Sequence, residues 1–170
     1  MYRHILSLAT AVAILGQASA SCQLSNSLKS AETTAETRKQ LCMPQGEGVW
    51  TFALDVSEVA VPTFNGGAPW AGLAGYTAYI IYDNECIPRG VYGPSGNDCG
   101  TPYVIEDNFL PYVLTVKAID TDLGGPYFKF AYANGLYSIG NNGCTCSDLS
   151  SGLEGEQGCK CAFPLEGESS

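Results

Sequence analysis

Tyr127-Phe128-Lys129-Phe130-Ala131-Tyr132-Ala133-Asn134-Gly135-Leu136-Tyr137 is the stretch that decides the fold. Aromatic side chains alternate with Lys129 and Ala131 before Asn-Gly, and alternation resumes after it. A period of two sends successive side chains to opposite faces of a strand. Asparagine and glycine both tolerate positive φ, so the stretch predicts a β-hairpin turning about Asn134-Gly135. Just upstream, Asp122-Leu-Gly-Gly-Pro126 is a second turn signal, giving three consecutive antiparallel strands.

The same period extends outward. Trp50, Phe52, Leu54 and Val56 alternate with Thr51, Ala53, Asp55 and Ser57, the pattern of a strand with one buried face. Further strands are predicted at 76–82, 103–106, 112–119 and 136–139. Only 24–41 reads differently. There Leu24, Leu28, Ala31 and Ala35 recur at helical spacing, with Pro44 and Gly46 beyond the end. The fold class expected is therefore all-β, mainly antiparallel, with one short N-terminal helix. Six or more short strands are compatible with a β-sandwich or a closed barrel, and the sequence leaves both open. The segment from Pro62 to Gly75 is glycine-rich and uncharged. It predicts a loop that presents Phe64 and Trp70 to a partner, or in which Trp70 caps the core.

Residues 1–20 read as a secretory signal. Arg3 and His4 open it, an apolar run spans Ile5 to Leu15, and Ala18-Ser19-Ala20 suits cleavage. That leaves 21–170 as a single domain with no internal repeat or linker and no stretch long enough to span a membrane. Cleavage also removes Arg3 and the only histidine of the chain. The remainder then carries 7 Lys and Arg against 17 acidic residues. Such a surface disfavours nucleic acid and anionic lipid, and without histidine no Ser-His-Asp or Cys-His pair can form.

The eight cysteines are Cys22, Cys42, Cys86, Cys99, Cys144, Cys146, Cys159 and Cys161. An even set in an exported chain predicts four disulfides. Cys144-Thr-Cys146 and Cys159-Lys-Cys161 could offer zinc four thiolates inside a cell, but outside it thiolates oxidise. Residues i and i+2 share a strand face, so each Cys-x-Cys can bond two partners on a neighbouring segment. The expected arrangement joins Cys86 to Cys99, with a knot among the last four cysteines or between these and Cys22 and Cys42.

No catalytic, metal or cofactor site is predicted. Asp120-Thr-Asp122 and the pair Glu106-Asp107 lack the full grammar of a calcium loop and suit local turn roles. Seventeen acids permit a glycosidase pair without pointing to one. Nine tyrosines beyond the leader, with Trp50 and Trp70, could stack on a sugar, although strand packing explains most of them.

One resemblance goes further. Cys99-Gly-Thr-Pro-Tyr-Val-Ile-Glu-Asp-Asn-Phe-Leu-Pro-Tyr-Val-Leu-Thr-Val116, Gly125-Pro-Tyr-Phe-Lys-Phe-Ala-Tyr-Ala-Asn-Gly135, Cys144-Thr-Cys-Ser-Asp-Leu-Ser-Ser-Gly-Leu153 and Gly158-Cys-Lys-Cys-Ala-Phe-Pro164 resemble, in order, the fungal hypersensitive-response-inducing protein elicitors. The likeness spans roughly Cys86 to Pro164. It implies a secreted, extracellular fungal protein that a plant host perceives through a cell-surface or apoplastic component, provoking local cell death and defence; a monomer is expected. It brings no catalytic residues. The alternative expectation is an extracellular module binding a glycan or a small apolar ligand.

Overall fold

The structure, a computed structural model, describes residues 22–26, 39–62, 70–93, 100–152 and 154–167. The leader at 1–20, Phe64, Cys99 and most of the expected helix lie outside the described residues. Among the described residues, ten strands form two five-stranded sheets. They are β1 (Cys22–Gln23), β2 (Val49–Pro62), β3 (Trp70–Tyr82), β4 (Pro88–Tyr92), β5 (Tyr103–Ile105), β6 (Leu114–Asp120), β7 (Tyr127–Tyr132), β8 (Gly135–Ser138), β9 (Thr145–Asp148) and β10 (Glu154–Pro164). One sheet runs β1-β5-β6-β7-β8 and the other β4-β3-β2-β10-β9. No barrel closes. All pairings are antiparallel except β1 with β5.

The sheets meet through aromatic side chains. Phe52 on β2 packs edge-on against Phe130 at 4.8 Å and Phe128 at 5.6 Å. Phe163 on β10 meets Tyr132 edge-on at 4.8 Å. Phe130 also stacks on Tyr137 across the hairpin at 4.9 Å. The alternation predicted these faces: Phe128, Phe130 and Tyr132 are buried on one side of β7. Edge-to-face and offset contacts satisfy the ring quadrupoles while removing large apolar areas from water.

Several expectations are corrected. The hairpin turns on Ala133 and Asn134, because Tyr132 pairs with Gly135. Ala133 takes the positive φ of 49°. Glycine is needed one position later for a different reason: a Cβ at Gly135 would lie 2.6 Å from the ring of Tyr137, which folds back over it. Gly90 and Tyr92 repeat the arrangement on β4, again with 2.6 Å to the ring. Glycine here makes room for an aromatic two residues on.

The stretch from Pro62 to Gly75 is not one long loop. β2 continues to Pro62, β3 starts at Trp70, and the two pair from Pro62 opposite Trp70 to Thr51 opposite Tyr82. Backbone pairing along a long hairpin supplies the order that Gly- and Ala-rich composition does not. At the N-terminus the helix cannot begin at Leu24. Leu24 is buried in the main core, its N–H bonds the Val104 carbonyl at 2.8 Å, and Asn26 bridges to Tyr92. Among the described residues, helical geometry occurs only at Lys39 and Gln40.

Disulfides fasten the frame. Cys144–Cys161 and Cys146–Cys159 are rungs across β9 and β10 and the residue preceding β9, with Cα atoms 4.2 and 4.0 Å apart. Cys146 lies directly opposite Cys159 in the register, so antiparallel pairing of two Cys-x-Cys units produces two stacked bridges on one face. The expected knot among the last four cysteines is therefore present, and its thiolates are spent on sulfur, not zinc. Cys86 joins Cys42, not Cys99.

Candidate functional site

The outer face of β2 was expected to be polar and solvated. Instead Thr51, Ala53, Asp55 and Ser57 are all buried. The cover is the segment 39–43. Thr51 Oγ1 accepts the Met43 N–H at 3.0 Å and donates to the Met43 carbonyl at 3.2 Å. Leu41 packs with Ala53, Ala78, Ile80, Tyr82 and Val91 in a second, smaller core, and Cys42–Cys86 bolts this segment to the turn after β3. Gly158 lies beneath Leu41 and Leu149: a Cβ there would come within 2.7 Å of Leu149 and closer still to Leu41.

Under this cover sits a carboxylate pair. Asp55 has no solvent exposure and lies between the small residues Gly158 and Ala78 in the ladder, which leave room for it. Glu156, one step along β10 and opposite Ser57, reaches it with a side-chain hydrogen bond. Ser57 Oγ donates to Glu154 Oε1 at 3.0 Å. Burial first, then the charge and hydrogen bond of Asp55, push the Glu156 carboxyl from an ordinary 4.5 up to about 7. Two carboxyl groups in contact cannot both ionise cheaply, so at mildly acidic pH the pair holds one proton between them. The sign is that of a group stabilised by protonation: its contribution is complete below about pH 4.5 and is lost as pH rises through about 7.

This pair does not suit glycoside hydrolysis. Catalytic carboxyls flank a glycosidic bond from the walls of an open site, whereas Asp55 is fully buried and cannot reach one. The sequence offered a signal in Asp55, an acid within a strand of uninterrupted apolar alternation. Its partner 101 positions on is set by the β2–β10 register alone.

Asp107, Asp120 and Asp122 serve local geometry. Asp120 Oδ1 accepts the Asp122 N–H and Asp122 Oδ1 accepts the Gly124 N–H, both at 3.0 Å, shaping the β6–β7 turn. Asp107 receives the Tyr92 hydroxyl at 2.8 Å and the Asn26 amide at 3.0 Å, tying the N-terminal strand to both sheets. Among the described residues no group of three metal-ligating side chains is assembled. Of the expected recognition loop, the backbone of Trp70 belongs to β3.

The tyrosines differ in burial, Tyr103 and Tyr127 being half-buried. Tyr79, Tyr82, Tyr92, Tyr132 and Tyr137 are core residues. Tyr112 is 46% exposed. It lines an open groove of about 390 Å³ with Ala133, Asn134 and Glu166, at the β7–β8 end of the sandwich. At the opposite end a groove of about 460 Å³ is lined by Ser57, Glu58, Thr77 and Thr121 among others. No helix of the described residues is long and apolar enough to cross a membrane.

No family model matches the chain, and no curated protein or solved structure matches it either.

Proposed function

We propose that this chain is a secreted, non-catalytic elicitor-like protein that works by being recognised by a plant host. The observation that carries the reading is where the resemblance-bearing segments fall. They are not scattered surface pieces: they supply β5, β6, the β7–β8 hairpin and the doubly bridged β9–β10 edge. These elements build the sheet that carries half of the aromatic core, together with the clamp that closes the other. Sharing turns, strands and cysteines means sharing a scaffold, and a scaffold presents loops in fixed positions.

Three bridges among the described residues and a net charge of −9 suit an extracellular life. The test is infiltration of purified, oxidised protein into leaves beside a reduced and alkylated sample. Local cell death and defence-marker induction by the oxidised sample alone is expected. Failure of both samples to raise defence markers overturns the proposal.

A further inference from the structure

We propose that the groove at the β7–β8 end, with Tyr112 as its platform and Glu166 as its acceptor, binds a pyranose unit of an extracellular polysaccharide. The groove is built, not incidental. Tyr132 holds both of its walls: its hydroxyl donates to the Leu165 carbonyl at 2.7 Å, beside Glu166, and its ring packs against Tyr112. The Tyr112 ring then stands edge-to-face on Tyr132 with centroids 5.8 Å apart at 88°. An edge contact leaves most of a ring surface open, in agreement with the 46% exposure of Tyr112. The tip itself is held by backbone geometry, with φ of 49° at Ala133 and 82° at Gly167, whose neighbour Glu166 closes the groove.

Chemistry selects the ligand class. Glu166, together with a chain of net charge −9, repels phosphate, sulfate and nucleic acid. The groove of about 390 Å³ is open along its length, so a small apolar ligand could not bury most of its surface there. A sugar needs less. One C–H face stacks on an aromatic ring, vicinal hydroxyls donate to a carboxylate, and the other face remains in water. Neutral and amino sugars share this chemistry, and an ammonium would add a charge-assisted bond to Glu166.

The test titrates the intact, oxidised protein with cellohexaose, laminarihexaose, chitohexaose and the glucosamine hexamer, followed by amide NMR shifts and calorimetry. Shifts centred on Tyr112, Asn134 and Glu166 are expected with at least one of them. Tyr112→Ala should weaken binding about tenfold, Tyr112→Phe should leave it within about twofold, and unchanged thermal melting of both variants would separate lost contact from lost fold. Glu166→Gln should weaken the glucosamine hexamer more than the neutral oligomers if the amino sugar is the ligand, and all of them comparably if it is not. Absence of shifts with all four sugars, or equal binding by wild type and Tyr112→Ala, overturns the proposal. Either result leaves the elicitor reading to its own assay.

Discussion

Replacing Glu156 by glutamine tests the buried carboxylate pair directly. In the wild type, Glu156 keeps its proton up to about pH 7, whereas an unfolded glutamate releases it near 4.5. A shift of that size corresponds at most to about 3 kcal/mol. Glu156 retains a little exposure at the rim of the site, and solvent screening there reduces the expected value to about 1 to 2 kcal/mol. Glutamine keeps the shape and can donate to Asp55 without ever ionising. Glu156→Gln should therefore be close to neutral at about pH 4, and more stable than wild type by about 1 to 2 kcal/mol at about pH 8. For a domain of this size that is a rise of roughly 2 to 8 °C in melting temperature, read by thermal denaturation across the pH range with the disulfides intact. The wild type alone should melt progressively lower as pH rises between about 4.5 and 7. Equal melting shifts at both pH values, or a destabilised variant at alkaline pH, would refute the shared-proton argument.

Three further outcomes follow from the packing. Phe130→Ala removes the ring that Phe52, Phe128, Tyr137 and Phe163 all contact, and should cost about 3 to 5 kcal/mol in denaturant unfolding. Replacing both Cys146 and Cys159 by alanine opens a loop whose ends are 13 residues apart and should cost about 2 to 3 kcal/mol, with less effect if Cys144–Cys161 carries the same constraint. Gly158→Val should loosen the segment 39–43 by driving Leu41 and Leu149 off the sheet, seen as faster hydrogen exchange at the Met43 amide with the aromatic core unaffected.

How much was legible in the sequence depended on whether the information was local. The alternation of β2 and β7 was readable because each buried aromatic recurs at the strand period. The Cys-x-Cys ladder was readable because two residues two apart share a face in any strand. β10 was not readable: Glu154, Gly155, Gln157 and Gly158 are poor strand formers, and it exists because β2, β9 and two disulfides pair with it from both sides. The cover over Asp55 escaped for the same reason. It needs Cys42 to find Cys86 and Leu41 to find Gly158, contacts 44 and 117 positions apart that no period encodes. Tyr112 was counted among nine tyrosines, and only its exposure in the fold sets it apart from those in the core.

Oxidised sulfur fixes the β9–β10 register and ties the segment 39–43 to the turn after β3. Peptide mapping of the intact, oxidised protein under non-reducing, acidic conditions measures this pairing without assuming it. The account predicts Cys42 linked to Cys86, Cys144 to Cys161 and Cys146 to Cys159. Cys22 is also disulfide-bonded. A Cys86 to Cys99 linkage, crossed bridges from Cys144 to Cys159, or thiols still able to take up an alkylating reagent would contradict it.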